Sequence, residues 1–329
     1  MSDTLRYLTE AEVAQTLTVE EALALAEEGI RADAQGRVVG DKFYMTVGEA
    51  GFIKPFAGYR QGEDLAYVKT FSFFPHNPAR FGKPTTSSLV LLFDAQTGLP
   101  VCLMEAGWIT TLKTAASSIV TARALARPNA QRAVIFGAGQ QGEMHLRALA
   151  AGMAVRWVAV VDVDEDRARA LAATWGPRLG LEVVAVPYAD REQAVRQADL
   201  VFTLTTGNAV MVRFAWLKPG ALVLKLGSYQ ELELEVITRA DKVVVDRWKY
   251  VGPRVPELKT LVAQGRFGPD DVHAAWPDIV AGRAPGRERD DEIIVYIALG
   301  IWGEYAAILP AAYRRAVEKG LGTLLPRTV

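Results

Sequence analysis

The hydrophobic pattern of the chain changes character about a third of the way along. Over AYVKTFSFF, residues 66–74, it alternates: Leu65, Tyr67, Lys69, Phe71 and Phe73 fall on one face of a predicted strand, and Ala66, Val68, Thr70 and Ser72 on the other. Lys69 therefore projects from the bulky apolar face. Desolvating an ammonium is costly unless an opposite charge meets it, so this position calls for an anion. The neighbouring stretches DKFYMTV, AGFIKPF, SSLVLLFD and PVCLMEAG also read as strands, with a turn at Thr97-Gly98 between the last two. Ahead of them, Thr18 and Glu21 form a capping box that opens a helix through EEALALAEEGIRADA, which Gly36 ends.

After an Ala-rich helix near 111–127, closed by Pro128, the apolar runs become short and continuous: AVIFGAG, WVAVVDV, LEVVAVP, DLVFTLT, ALVLKLG and KVVVD, most of them separated by helical stretches. Continuous runs predict strands covered on both faces, hence a parallel sheet wound with helices. The fold class expected is α/β, preceded by a strand-rich region. No internal repeat or low-complexity segment is present.

Length and charge narrow the partners. A chain of 329 residues, 50% hydrophobic and 23% charged, is globular and long enough for two domains. With 37 basic and 38 acidic side chains the net charge is −1, which gives no surplus to recruit nucleic acid or an acidic membrane. A small-molecule partner is expected. The single cysteine, Cys102, excludes an internal disulfide and a multi-cysteine metal site, which fits a reducing, cytoplasmic setting. The opening MSDTLRYLTEAEV lacks a basic stretch followed by an apolar one, and no run of about 18 apolar residues occurs, so neither secretion nor membrane insertion is expected.

The first apolar strand of the second half runs into Gly137-Ala138-Gly139-Gln140-Gln141-Gly142 and then into the helix QGEMHLRALA. A bare GxGxxG is weak evidence; one placed between a strand and a helix has the context of a dinucleotide-binding turn. Gly137 permits the tight turn, Gly139 lets a pyrophosphate approach the backbone, and Gly142 lets helix pack on strand. The helix N-terminus adds amides and a partial positive charge. Asp162 ends the next strand, WVAVVD, where a carboxylate accepts hydrogen bonds from an adenosine ribose and repels a 2′-phosphate. NAD(H) is thus expected in preference to NADP(H). Arg167, in the helix that follows, tempers that expectation, because it can reach a 2′-phosphate if the loop allows.

Lysines mark the first half: besides Lys69 there are Lys113, at the predicted beginning of the Ala-rich helix, Lys42 near a strand start, and Lys54 in GFIKPF. Several cations beside a helix N-terminus would satisfy a bound carboxylate. For Lys54 a surface lysine with its stem on apolar surface is the better reading, and for Lys42 the two readings are balanced. The three histidines are far apart and lack metal-ligand spacing, so no metal is expected. His76 in FPHNP, following the Lys69 strand, is the one that could border a pocket. Glu292 in DDEIIVY and Thr205-Thr206 after the fourth strand read equally as cleft residues or as caps.

GKPTTSSLVLLFDAQTGLPVCLMEAGWITTLKTAAS, followed by GAGQQG, TLTT, GS at 227–228, KVVVD and RERDDEIIVY, resembles the ornithine cyclodeaminase and mu-crystallin family over nearly the whole chain. That resemblance implies a Rossmann-type nucleotide domain, residues 116–299. It also implies an α+β substrate-binding and dimerisation domain built from both chain ends, 1–115 and 300–329, and hence a homodimer. It implies a 2-amino or 2-imino carboxylate as substrate and a nicotinamide cofactor. Carried over by position, the family's carboxylate-binding residues fall on Lys42, Lys69 and Lys113, with Thr85 beside them; Thr114, Thr205 and Gly227 join the nucleotide set. Lys42 and Lys113 replace arginines, exchanging a planar fork for a point charge.

The leading expectation is an NAD(H)-dependent dehydrogenase or reductase acting at C2 of a small amino or imino acid, with Lys69 or Tyr229 handling the proton. Two rival readings are a cyclodeaminase of ornithine or a related diamino acid that recycles bound NAD, and a non-catalytic NAD(P)H-dependent small-ligand binding protein. Tyr229 in GSYQ stands where cyclodeaminases carry an aspartate, and Phe52 stands where ornithine-specific members carry an acid for the distal ammonium. Both departures disfavour cyclodeamination. A tyrosine can donate a proton if it faces the cofactor, or it can simply line a core or rim.

Overall fold

The computed structural model describes residues 4–326, and the chain divides into two compact units: Met1–Thr114 with Trp302–Val329, and Ala115–Ile301.

The first unit is built on an eight-stranded sheet. Its strands are β1 (Thr4–Leu8), β2 (Val38–Lys42), β3 (Met45–Val47), β4 (Gly51–Arg60), β5 (Leu65–Phe73), β6 (Thr86–Asp94), β7 (Pro100–Glu105) and β16 (Thr323–Pro326), in the order β16-β1-β7-β6-β5-β4-β2 with β3 beside β4. β1 and β16, which join the two chain ends, carry no alternation strong enough to have been read from sequence.

DKFYMTV, expected as one strand, is interrupted at Phe43-Tyr44. The register on either side is the same, Lys42 opposite Phe56 and Met45 opposite Ile53, so no residue is inserted. The interruption falls opposite Pro55. Phe43 donates its N–H to the Pro55 carbonyl, but proline has no N–H to return, and the ladder lapses there.

Across this sheet Lys42, Phe56, Lys69, Val90 and Met104 stand directly opposite one another on β2, β4, β5, β6 and β7, and all five are buried. The helix Val19–Ala34 covers this face, opened by the expected Thr18–Glu21 capping box. It approaches the short helix Gly303–Ala306 closely: a Cβ on Gly29 would lie 2.2 Å from the Gly303 carbonyl oxygen. Only glycines let the two backbones meet, and their contact fixes Glu304 and Tyr305 beside the lysine row.

The second unit holds a wholly parallel sheet: β8 (Arg132–Phe136), β9 (Trp157–Val161), β10 (Glu182–Ala185), β11 (Leu200–Thr203), β12 (Leu222–Lys225), β13 (Lys242–Val245), β14 (Ala274–Ala275) and β15 (Ile294–Ile297), ordered β10-β9-β8-β11-β12-β15-β13-β14. The parallel sheet expected from the continuous apolar runs is present. The strand IIVY inserted between β12 and β13 had not been anticipated. Chain order reverses direction at β8 and β11, the switch point at which open α/β sheets bind ligands beyond their carboxyl ends.

Candidate functional site

The nucleotide-type turn follows β8. Gly137 has φ +106°, a conformation that favours glycine. A Cβ on Gly142 would lie 2.0 Å from the Gly137 carbonyl oxygen, so the helix Gln140–Gly152 can start against the turn only if residue 142 is glycine. Gly139 caps that helix with no side-chain hydrogen bond, and Gln141 Oε1 is buried without a hydrogen-bond partner. A glycine turn of this shape, a helix start not capped by a side chain and an orphaned polar atom fit a bound pyrophosphate.

Asp162 anchors the same turn. One carboxylate oxygen accepts from Ala138 N at 2.7 Å and the other from Asp164 N at 2.9 Å. Each oxygen retains a further lone pair for a ribose hydroxyl. Arg167 lies close: a Cβ on Gly139 would be 3.3 Å from its guanidinium.

Behind the loops after β11 and β12 is a cluster that sequence reading missed. Lys225, Glu231 and Glu257 are fully buried. Lys225 Nζ donates to the carbonyls of Gly227 and Tyr229 at 2.8 and 2.7 Å and lies 3.4 Å from Glu231. Glu231 accepts from Thr205 N and Thr205 Oγ1, while Glu257 accepts from the amides of Glu231 and Leu232. Thr205, Gly227 and Tyr229, three of the expected site residues, are thus all tied to one ionic knot. A Cβ on Gly227 would lie 2.3 Å from the Glu231 carboxylate, so that position also has a packing reason to be glycine. Tyr229 is half-buried, which pushes its phenol pKa up.

In the first unit Lys69 is 1% exposed. Its only hydrogen bond among the described residues is to Ser88 Oγ, at 3.2 Å. Its ammonium lies over the rings of Phe56, Phe71 and Tyr305, with centroids at 5.1, 5.2 and 5.3 Å. Burial, then the neighbouring charges of Lys54 and Lys113, hold its pKa well below the usual lysine value.

Lys113 departs from expectation in two ways. The helix that carries it starts at Gly107, so Lys113 sits well inside it and not in its first turn. It is also paired: Nζ lies 2.6 Å from the Glu304 carboxylate, with both side chains buried, and 4.7 Å from the Tyr305 ring centroid. Glu304 had escaped notice although it is a charged residue inside the apolar run GIWGEYAAIL, the same signal that drew attention to Lys69.

Lys54 is half-buried, its ammonium lying 5.4, 5.9 and 5.1 Å from the ring centroids of Tyr44, Phe56 and Phe71, near enough to Lys69 to depress its pKa. Phe52 stacks on Phe73 at 5.5 Å and touches Tyr44.

The remaining candidates have local roles. Thr85 accepts from Phe74 N through its carbonyl, and Thr114 Oγ1 donates to the Thr110 carbonyl. Glu292 is buried on Lys242 and the amides of Glu288 and Arg289, a structural position and not a cleft. His145 is buried between the Gln141 carbonyl and Ser118 Oγ, which burial pushes down to a pKa of about 4. His76 precedes the short helix Asn77–Phe81. Among the described residues no His/Cys/Asp/Glu group could hold a metal ion, and no helix is long and apolar enough to cross a membrane.

A Rossmann-type sheet with a glycine turn at its switch point, joined in one chain to a lysine-lined α+β unit, defines a class of dinucleotide-binding proteins. The chain belongs to the ornithine cyclodeaminase/mu-crystallin family, which it matches over residues 5–320. It is 30% identical over 324 residues to an alanine dehydrogenase of Archaeoglobus fulgidus, covering 96% of both chains. The structure of the Thermococcus litoralis Delta(1)-pyrroline-2-carboxylate reductase in complex with NADH and L-proline superposes with a TM-score of 0.91 at 27% identity, covering 97% of this chain and 99% of that one. An archaeal alanine dehydrogenase dimer with bound NAD superposes with a TM-score of 0.90 at 28% identity, covering 98% and 99%.

Proposed function

We propose that this chain is an NAD(H)-dependent oxidoreductase acting at C2 of a small amino or imino acid, as an amino-acid dehydrogenase or imino-acid reductase. The observation that carries this reading is Lys69, a buried lysine with a depressed pKa and only a serine hydroxyl as hydrogen-bond partner. Such a group is unfavourable for stability alone and suits a site that binds an anion and moves a proton. Relatives named for alanine and for a cyclic imino acid support the substrate class.

Gly137, Ala138, Gly139, Gln140, Gln141 and Gly142 would hold the pyrophosphate, and Asp162 the adenosine ribose. Thr114, Thr205 and Gly227 complete the nucleotide set. When bound, NAD(H) supplies or accepts the hydride. Lys42, Lys69 and Lys113, with Thr85 beside them, bind the substrate carboxylate. Glu304 neutralises Lys113 in part, so the grip is less strongly cationic than three free lysines would make it. Lys69, whose pKa burial and the neighbouring lysines hold below the usual lysine value, can exchange the proton that accompanies hydride transfer; Tyr229 is the second candidate for that role.

Cyclodeamination of ornithine fits less well, because a distal ammonium beside Phe52 would sit among aromatic rings that also hold the Lys54 ammonium. Cation–π attraction of about 0.5–2 kcal/mol offsets desolvation only in part, and the like charge opposes it.

A homodimer is proposed through the outer face of the first sheet, where Val39 is 61% and Phe43 62% exposed, with Met45, Val47 and Leu89 also exposed. Light scattering on Leu89→Asp, expected to yield monomer from a dimeric wild type, tests that.

The function is tested by adding NADH to purified protein with a panel of 2-oxo acids plus ammonia or amines, and with Δ1-pyrroline-2-carboxylate. Oxidation of NADH is expected, with NADPH a poorer donor because of Asp162. No oxidation across the panel, or ammonia release from ornithine without net cofactor turnover, would contradict the proposal.

A further inference from the structure

Arg167 follows a run of carboxylates, Asp162, Asp164, Glu165 and Asp166, and its guanidinium pairs with none of them. Each acid is engaged elsewhere. Asp162 accepts from the amides of Ala138 and Asp164, and Asp164 caps the helix Glu165–Leu179 by accepting from the Arg167 amide at 3.2 Å. Arg169 takes the other two: its guanidinium lies 3.3 Å from the Glu165 carboxylate and 2.7 Å from that of Asp166. Among the described residues the Arg167 guanidinium therefore makes no hydrogen bond or ion pair, and the residue is exposed.

This side chain lies back on the glycine turn: a Cβ on Gly139 would be 3.3 Å from Arg167 Nη2. Gly139 is the N-cap of the helix Gln140–Gly152 and gives it no side-chain hydrogen bond. The turn Gly137–Gly142 carries no cation of its own. Its amides and the helix dipole amount to about half a positive charge, whereas a pyrophosphate brings a negative charge on each phosphate. Arg167 is the cation placed to meet the remainder, and a guanidinium can meet two phosphate oxygens at once.

We propose that Arg167 binds the pyrophosphate of the dinucleotide and not a 2′-phosphate. The proposal rests on the nucleotide reading above and deepens it. Gly139 is the residue over which the pyrophosphate meets the backbone, while a 2′-phosphate would have to share the ribose end of the site with the Asp162 carboxylate. Arg167 then adds affinity for both cofactors alike, and discrimination between them falls to Asp162.

The test is calorimetric binding of ADP-ribose, adenosine, NADH and NADPH to wild type, Arg167→Gln and Arg167→Lys. Arg167→Gln is expected to weaken ADP-ribose, NADH and NADPH by a common factor of about tenfold and to leave adenosine, which has no phosphate, unchanged. Arg167→Lys, which keeps the charge but loses the fork, should fall between the two. Because the side chain is exposed and makes no bond, thermal unfolding should be the same in all three proteins. A loss confined to NADPH would overturn the proposal and assign Arg167 to the 2′-phosphate. An equal loss for adenosine would overturn it in favour of stacking on adenine, and unchanged affinities would make Arg167 a surface residue only. If wild type binds neither ADP-ribose nor NADH, the nucleotide reading falls and this proposal with it. Binding alone is read, so failure of the proposed chemistry at C2 leaves the result decisive.

Discussion

The ammonium nitrogen of Lys69 lies 3.2 Å from Ser88 Oγ and no hydrogen bond to a carboxylate accompanies it among the described residues. A carboxylate bound there would raise the Lys69 pKa from its depressed position, so ligand binding must take up a proton over the range between the two values. Around that range, affinity for a 2-oxo carboxylate falls as pH rises. The groups that face Lys69 are Lys54, Lys113 and Tyr305, with Glu304 held on Lys113. Calorimetry in buffers of different ionisation enthalpy is expected to show proton uptake in wild type and none in Lys69→Met.

The same depressed pKa costs stability. Between the folded-state value of Lys69 and the usual 10.5, the unfolded chain binds more protons than the folded one, so stability rises with pH across that window. Lys69→Met removes the penalty. Thermal unfolding near neutral pH is expected to move upward, by about 2–4 °C for each kcal/mol relieved, with a flatter dependence on pH. A lower Tm in Lys69→Met would show that the ammonium is well matched after all.

Lys225 presents the opposite case: it too is a fully buried strand lysine, but Glu231 and two backbone carbonyls receive it. Lys225→Met would strand two buried carboxylates and release the loops that carry Thr205, Gly227 and Tyr229. Breaking such a cluster costs about 3–5 kcal/mol. Urea unfolding should register that loss, and NADH binding should weaken as well.

His145 ties the Gln140–Gly152 helix to Ser118 in its neutral form, with a pKa of about 4 against the ordinary 6.5. Below pH 6.5 the unfolded chain takes up the proton first, so stability falls from there until the folded histidine itself titrates. The loss amounts to about 3 kcal/mol when complete. His145→Gln is expected to flatten this acid limb; an unchanged limb would assign it to carboxylates instead.

Much of this was legible in the sequence because single positions carried strong local constraints. The alternation around Lys69 fixed its face, the Thr18–Glu21 box fixed a helix start, and the glycine turn announced the Rossmann unit. The Gly107–Leu125 helix starts four residues before the predicted 111; Thr110 and Thr111 are accommodated in its first turns by donating to the carbonyls of Ala106 and Gly107, four residues back. Lys225 was passed over because its strand is apolar throughout, giving no alternation against which a lysine stands out. The partners of Lys113 and Lys225 lie on other elements, and only the fold brings Glu304 across 191 residues to meet Lys113.

The most direct test of the account is the NADH-dependent turnover of Lys69→Met and Lys69→Arg beside wild type, with NADH affinity measured in each. The account predicts that Lys69→Met loses about 100-fold or more in kcat/KM while NADH affinity is retained. It also predicts that Lys69→Arg, whose guanidinium stays charged, keeps substrate binding better than it keeps kcat, and loses the limb of the pH–rate profile that reports the lysine. Wild-type kinetics in both variants would contradict it, and would move the site away from the strand lysine on which the proposed chemistry rests.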